Sequence, residues 1–386
     1  MTNTKSGQGK VTSSGWNEIP GISPTLYSHF LSDIMVSRKI EDMGFDMPEL
    51  NYFKIDIDMT PELEKGYNKL RDDIIAFMKE NKHINLGGTY LNALLSYPDS
   101  PITEPLIYND MVISVPLPID IEDIILPKEE KLISLIKREL KQDRRSLVYI
   151  TYTGNKAVDK RVEKILTKAG LRVALLKSSV STEKREKWIE DRYKEGVDVI
   201  ITNPKIVQTG LNIVQYPTII FFQLDYDVRV VRQAESRAWR VGQEKECKVY
   251  YFCYNGTLQF ESLKLIGSKK KASLALEGVF AEDILSLSGD DNGDSGVAAL
   301  YKSLLGQVKL KEDDLDFFSE EEIIEIFEEE SIGLKTGQQD IFSNMFTNNN
   351  EIGQISLFTI TEEKIKKSSL KTKNKLIVGQ VSIFEL

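Results

Sequence analysis

From Pro127 onward the apolar positions fall into two alternating kinds of run. Leu132, Leu135 and Ile136 mark one stripe of a helix, whereas Leu147 to Tyr152 is an unbroken apolar and β-branched stretch of strand length. A strand without polar alternation is one covered on both faces, as in parallel sheets. The next helix carries Val158, Val162, Ile165, Leu166 and Ala169 on one face and stops at Gly170, a residue suited to the position just past a helix end. Residues 171–176 read as a second strand. A charged helix over 182–195 should bury Trp188, Ile189 and Tyr193 before stopping at Gly196, and residues 197–202, 218–223 and 248–254 supply three further strands. Strands and helices alternating at this pitch predict an α/β fold, with βαβ units building a parallel sheet that has helices on both faces.

The pattern is different on either side of this region. Residues 1–15 are rich in Gly, Ser, Thr and Lys without periodicity, and read as a loose lead-in. Residues 16–126 read as a mostly helical region with one strand. In that strand Phe53, Ile55, Ile57 and Met59 alternate with Lys54, Asp56 and Asp58. A helix should follow at once, with Thr60 as its cap, Pro61 in the first position and Leu63, Tyr67, Leu70, Ile74 and Phe77 on its buried stripe. From Asn81 to Pro127 the glycines and prolines predict short helices and loops. The regular domain then spans 127–280, and 281–386 reads as an acidic, largely disordered tail. Within the tail, Leu315, Phe318, Ile323, Ile324 and Phe327 form a short helix-like stripe.

Composition narrows the function classes. The 386 residues, 41% hydrophobic and 28% charged, suit a globular protein of two or three domains. No apolar run reaches about 18 residues and the opening segment is polar, so a membrane role is not expected and a cytoplasmic location is. Cys247 and Cys253 fall on one strand at even spacing, too far apart to bridge each other. With His29 and His83 as the only histidines, no metal site is expected and a histidine triad has little to draw on. Acids outnumber bases by about 11 beyond residue 280 while the whole chain carries −9, so the first 280 residues are slightly basic. The acidic sum therefore does not argue against a nucleic-acid partner.

Ligands of parallel sheets bind beyond the carboxyl ends of the strands. Two stretches fall there. The loop after 197–202 contains Thr209-Gly210-Leu211-Asn212, which offers a hydroxyl, an amide and backbone N–H groups. The helix after 218–223 carries Gln233, Arg237 and Arg240, and two guanidinium groups at i and i+3 should share one helical face and reach one polyanion. The plainer alternative is that Arg237 and Arg240 pair with Glu235 or Glu244 on a solvated helix.

The order Leu147-Val-Tyr-Ile-Thr-Tyr-Thr, Val199-Ile-Ile-Thr-Asn, Thr209-Gly-Leu-Asn and Gln233-x-x-x-Arg237-x-x-Arg240-x-Gly-Gln243 resembles motifs IV, V and VI of superfamily-two helicases, above all the Swi/Snf-like branch. The resemblance covers about residues 20 to 280, because Leu31 to Arg38 and Met59 to Tyr67 resemble the segment joining the two lobes of that motor. It implies that 127–280 is the second, C-terminal RecA-like lobe, that 16–126 is an inter-lobe linker region, and that ATP with Mg²⁺ is clamped between this lobe and another. By position, Arg240 resembles the arginine finger, Arg237 its partner and Gln233 a residue that positions them. Thr209, Gly210 and Asn212 resemble the motif coupling nucleotide to DNA.

The departures bear on activity. The chain contains neither Gly-x-x-x-x-Gly-Lys-Ser/Thr nor Asp-Glu-x-His, and Gly7-Gln-Gly-Lys10 has the wrong spacing for a phosphate loop. Asp225-Tyr-Asp replaces the branch's usual Trp-Asn-Pro, and Trp239 stands where histidine is common. The resemblance thus implies a helicase or translocase lobe that needs a phosphate-loop lobe, supplied by a longer protein or by another chain, to complete its ATP site. The alternative is a non-catalytic adaptor that binds DNA or a sliding clamp.

The tail adds a second signal. Gln354-Ile-Ser-Leu357-Phe358 and Gln380-Val-Ser-Ile383-Phe384, with a weaker copy at Gln339 to Phe342, resemble the peptide by which bacterial DNA-processing proteins grip the sliding clamp. Ser268-Lys-Lys-Lys271 reads as a solvated run that could touch phosphates.

Overall fold

The unbroken apolar runs become strands shielded along their whole length. In a computed structural model that describes residues 44–81, 87–117, 119–122, 124–207, 210–224, 228–276, 300, 303–306, 315, 318–320 and 335–336, every residue of β5 (Ser146–Tyr149), β7 (Val199–Thr202) and β8 (Thr218–Phe221) is buried. Leu147, Tyr149, Ile200, Ile219, Phe221 and Tyr251 point into one apolar layer, and Val148, Ile150, Ile201, Ile220 and Phe252 into the other. With both faces occupied, a polar residue in either register would be buried and unpaired, and so the sequence shows no alternation there.

These strands join β1 (Leu50–Ile57), β6 (Val173–Leu176), β9 (Cys247–Tyr254) and β10 (Ser319–Glu320) in one sheet of order β10-β1-β9-β8-β5-β7-β6. All its pairings are parallel. Helices α3 (Pro127–Lys141) and α4 (Val158–Lys168) pack Leu132, Leu135, Ile136, Val162 and Leu166 on one face. Ile189 of α5 (Thr182–Lys194) and Val231 and Ala234 of α6 (Val228–Glu235) cover the other face. Helix α7 (Leu258–Leu276) serves both, sending Leu258 and Leu265 to one layer and Leu263 and Ile266 to the other. The doubly covered parallel sheet expected from the sequence is therefore present. Tyr193 corrects one expectation: it is 39% exposed, lying edge-on to Tyr216 under the Arg145 guanidinium, because α5 is charged on most sides and fully buries only Ile189.

The strand expected at 53–59 runs instead over 50–57 and pairs with β9 along its whole length, from Leu50↔Cys247 to Ile57↔Tyr254. Helix α1 (Pro61–Glu80) starts as its sequence requires, with the Thr60 hydroxyl accepting from the Leu63 N–H and Pro61 in the first turn. Next come α2 (Gly87–Ser96) and a hairpin of β2 (Leu106–Tyr108) and β3 (Met111–Ser114). Its two-residue turn puts Asn109 and Asp110 at φ of 45° and 64°, a left-handed pair that Asn and Asp tolerate. Strand β4 (Ile124–Ile125) pairs with β11 (Lys335–Thr336). A buried brace ties this region to the sheet: Lys128 of α3 meets Asp99, which follows α2, and Gln259 at the start of α7.

Within the tail, Ser319 and Glu320 form the short strand β10, while most of the helix-like stripe read over 313–330 lies outside the described residues. Ser319 and Glu320 pair with Phe53 and Lys54 of β1, and Leu315 and Phe318 are buried. An open strand edge with unpaired N–H and C=O groups offers a strand-forming segment more than an isolated helix turn would. Ile323, Ile324 and Phe327 lie outside the described residues. Among the described residues no helix is long and apolar enough to cross a membrane.

Candidate functional site

The chain leaves β7 on one side of β5 and enters β8 on the other, so the connections diverge at the carboxyl ends of these strands and open a crevice there. Three loops meet at it. The loop after β7 begins with Asn203, whose Oδ1 accepts from the Lys205 N–H and whose Nδ2 donates to the Thr151 carbonyl in the loop after β5. The Gln223 carboxamide does the same from the β8 side, its Oε1 accepting from the backbone N–H groups of Thr151 and Tyr152. Side-chain amides thus satisfy backbone groups freed where the strands end.

Beyond the 3-10 turn Pro204–Ile206 the loop passes Gln208 and Thr209, which lie outside the described residues, to Gly210. Gly210 has φ of +62° and no atom of the described residues near where a Cβ would stand, so backbone conformation is what calls for glycine there. Leu211 and Ile213 anchor the loop in the core. Between them the half-buried Asn212 has an Oδ1 that is shielded from solvent and without a hydrogen-bond partner among the described residues.

The arginine segment is not the single helix that its spacing predicts. Helix α6 ends at Glu235, and Arg237 and Arg240 lie in the turn that follows. Two hydrogen bonds divert the ladder: the Arg237 carbonyl accepts from the Ile213 N–H at 2.9 Å, and the Ala238 carbonyl from Gln243 Nε2 at 2.9 Å. Gln243 also donates to the Val214 carbonyl and accepts from the Lys245 N–H, so this buried amide pins the turn and the preceding loop together. Trp239 Nε1 donates to the Pro48 carbonyl, and the Tyr149 hydroxyl to that of Ala234.

The turn still brings the two guanidinium groups together. Arg237 is 5% exposed, and its pKa is lowered first by burial and then by the neighbouring Arg240 charge. Arg240 is half-buried, with Nε donating to the Ser236 carbonyl. Gln233 faces solvent. Pairing of these arginines with Glu235 on a solvated helix is not what the segment shows: Glu235 is buried, with its carboxylate 2.7 Å from Lys270 Nζ and hydrogen-bonded by the Tyr251 hydroxyl. Arg237 and Arg240 thus share one turn, with the Arg240 charge acting on a guanidinium that is nearly withdrawn from water.

A cleft of about 320 Å³ adjoins these loops at the carboxyl ends of β5, β6 and β7, lined by Thr153, Asp159, Lys160, Lys177, Ser178 and Asn203. Asp159 and Lys160 of the first turn of α4 form part of its wall. Apart from Thr153 and Asn203, which belong to quoted motifs, these residues were not singled out from the sequence. The signal was present, since Thr151-Tyr-Thr-Gly154 directly follows a fully buried strand and therefore lies at a carboxyl end. The clamp-motif residues Gln354, Leu357, Phe358, Gln380, Ile383 and Phe384, the Leu31 to Arg38 segment and Asp225 to Asp227 lie outside the described residues.

Residues 127–242 match the family described as Helicase conserved C-terminal domain. Similar curated proteins include Helicase SWR1 of Candida albicans, 25% identical over 159 residues that make up 40% of this chain and 10% of that protein. Chromatin-remodeling ATPase INO80 of Schizosaccharomyces pombe is 28% identical over 134 residues, 35% of this chain and 8% of that protein. DNA repair and recombination protein RAD54 of Saccharomyces cerevisiae is 29% identical over 120 residues, 30% of this chain and 13% of that protein. The chain spans about a tenth of the length of the curated relatives it matches. Among solved structures, the C-terminal part of the Fun30 ATPase domain has a TM-score of 0.47 at 16% identity, covering 62% of this chain and 99% of that one. The Sulfolobus solfataricus SWI2/SNF2 ATPase core in complex with dsDNA has a TM-score of 0.43 at 15% identity, covering 74% and 56%. Residues 127–242 are thus similar to helicase C-terminal domains.

Proposed function

We propose that residues 127–280 work as the second RecA-like lobe of an ATP-dependent DNA translocase, with Arg240 as arginine finger, Arg237 as its partner and Gln233 at the solvent side of the same segment. The observation that carries this reading is the convergence of two guanidinium groups in a turn that is hydrogen-bonded, through Ile213 and Arg237, to the loop holding Gly210 and Asn212. A group that stabilises charge on a transferring phosphoryl is thereby mechanically joined to a loop suited to a nucleic-acid backbone. ATP with Mg²⁺ would be held chiefly by a lobe bearing a phosphate loop, which these 386 residues do not contain. Arg237 and Arg240 would then approach from across the interface, an arrangement worth about 10³ to 10⁵ in rate.

The partner is DNA, and its phosphates would be met by Thr209, Gly210 and the cleft residues Thr153, Lys160 and Lys177. Asp159 in the same wall would hold the backbone away from the floor of the cleft. The test is reconstitution of the chain with a separately produced phosphate-loop lobe of a Swi2/Snf2-type ATPase and duplex DNA. DNA-stimulated hydrolysis above that of either part, falling at least about a hundredfold in Arg240→Ala, is expected. No stimulation, with Arg240→Ala indistinguishable from wild type, would overturn the reading. DNA binding without any hydrolysis would favour the non-catalytic adaptor.

The tail favours a second, compatible activity. Gln354, Leu357 and Phe358, and again Gln380, Ile383 and Phe384, present an amide and an aliphatic-aromatic pair suited to an apolar pocket on a bacterial sliding clamp. A synthetic peptide spanning Gln354 to Phe358 should bind purified clamp, and equal binding by its Phe358→Ala form would reject the assignment.

A further inference from the structure

Lys270 belongs to the run Ser268-Lys-Lys-Lys271, yet it is 3% exposed and does not meet solvent or phosphate. Its ammonium lies 2.7 Å from the Glu235 carboxylate and 3.0 Å from the Tyr251 hydroxyl. Aromatic rings close round it: the centroid of Tyr52 is 4.0 Å away, that of Tyr251 5.3 Å and that of Phe318 5.9 Å. Among the described residues, Phe318 is the ring of this cage that comes from outside the sheet's long strands. It packs edge-on to Tyr251 at 4.9 Å, its N–H returns to the Leu315 carbonyl, and the next two residues form β10 on the edge of β1.

The place of this cage gives it a role. Glu235 is the last residue of α6, and Arg237 lies two residues beyond it. An ion pair excluded from water is rigid only while its surroundings stay closed, because water admitted to the pair weakens the attraction and lets both side chains move. Tyr52 and Tyr251 belong to the eight-residue strands β1 and β9, whereas Phe318 directly precedes Ser319 and Glu320, which pair with the outer side of β1.

We infer that Phe318, beyond the matched helicase domain and next to β10, is a positioning residue for the arginine turn: it closes the cage round Lys270, and the Lys270–Glu235 pair then fixes the end of α6 from which Arg237 and Arg240 project. Phe318, Lys270 and Glu235 touch no substrate in this scheme and act only through the turn. The catalytic consequence rests on the proposed reading of the two arginines, but the structural link does not.

The test uses the full chain and reads hydrogen exchange, which needs no nucleotide. Phe318→Ala should speed exchange about tenfold or more over Ser236 to Gln243 and at the Ile213 amide, which bonds to the Arg237 carbonyl, while the amides of α3 and α4 stay unchanged. Lys270→Gln, with Phe318 intact, should loosen the same turn, and Phe318→Leu should restore most of the protection. Should Phe318→Ala fail to fold by circular dichroism, Lys270→Gln carries the comparison alone. Faster exchange confined to β1, with the arginine turn unchanged, would overturn the inference. In the reconstituted motor, Phe318→Ala should lower kcat about tenfold with little change in the KM for ATP. If exchange responds as expected but wild type itself gives no DNA-stimulated hydrolysis, the positioning inference stands and the translocase reading fails.

Discussion

Replacing Asp99 by alanine tests whether the region ahead of the matched domain is part of the same folded unit. Asp99 and Lys128 are each 1% exposed at their side chains, with Nζ and Oδ1 3.1 Å apart. The ammonium lies between the rings of Phe222 and Tyr254, at 4.9 and 5.4 Å, and also donates to Gln259 Oε1 at 3.0 Å. The other carboxylate oxygen accepts from Gln223 Nε2 at 3.0 Å and Gln259 Nε2 at 2.9 Å. At this separation and an effective dielectric of about 20, the attraction is about 5 kcal/mol. Asp99→Ala leaves Lys128 charged among aromatic rings, for which about 3–5 kcal/mol of lost stability is expected. Lys128→Met should cost less, about 1–3 kcal/mol, because Asp99 keeps two amide donors. The double variant Asp99→Ala/Lys128→Met should cost at least about 2 kcal/mol less than the sum of the singles. Urea unfolding followed by circular dichroism measures all three. A pH series adds a sign. Burial lowers the Lys128 pKa and Asp99 pushes it back up, so removing Asp99 lowers it further. Above that folded-state pKa the unfolded chain binds the extra proton, so Asp99→Ala should recover stability relative to wild type as pH rises from 7 towards 10. An Asp99→Ala penalty below about 1 kcal/mol, or additive singles, would refute the claim that this brace holds residues 87–99 to the sheet.

Three shorter expectations follow from other sites. A methyl group at Gly66 would stand 2.1 Å from the Tyr97 hydroxyl and 2.9 Å from Ile119 Cδ1, so Gly66→Ala should lower stability by about 1–3 kcal/mol in the same unfolding assay despite its better helix propensity. Burial alone would raise the Glu139 pKa, but hydrogen bonds from Arg144 and Thr218 outweigh it and hold the carboxyl below its usual range. A depressed carboxyl contributes stability above its unfolded pKa and loses it as pH falls through the folded one, so the gap between wild type and Glu139→Gln, about 2–3 kcal/mol at pH 7, should narrow below about pH 4. Gln243→Leu removes both donors that tie the Val214 and Ala238 carbonyls, and should raise hydrogen exchange across 211–214 and 236–243 together.

The sheet could be read from the sequence because both of its faces are filled. A residue in β5 or β8 has an apolar neighbour whichever way it points, so the run of Leu, Val, Ile and Phe is itself the signature. The loops at the carboxyl ends could be located for the same reason, since each directly follows such a run. The conformation of the arginine segment could not. Residues 228–240 have helical spacing throughout, and what ends the helix at Glu235 is the Ile213 amide and the Gln243 side chain, partners that are neighbours only in the folded chain. Lys270 misled for a related reason: three consecutive lysines suggest a solvated run, and only the aromatic residues Tyr52, Tyr251 and Phe318, from three distant segments, show that the middle one is buried. The hairpin at Asn109-Asp110 falls in the stretch that reads as short helices and loops, because Asn-Asp lacks the glycine of the usual two-residue turn signal.

The carboxyl-end loops also constrain how the proposed site could respond to a ligand. The loop after β5 is held by Asn203 from one side and Gln223 from the other, and Gln223 is in turn bonded to Asp99 within the buried brace. The arginine turn is held by Ile213 and Gln243, and through Glu235 by Lys270. Neither loop can shift by an ångström without breaking a part-buried or buried hydrogen bond, each worth about 1 kcal/mol and more where its partner is left buried and unsatisfied. A DNA backbone pressing on the Gly210 loop would thus be transmitted to Arg237 through a short chain of bonds and not absorbed by slack. The left-handed Gly210 is the point in that chain of bonds where the backbone conformation depends on the absence of a side chain. Gly210→Ala should therefore weaken DNA stimulation while leaving the arginine turn intact, and Gln243→Leu should disturb both.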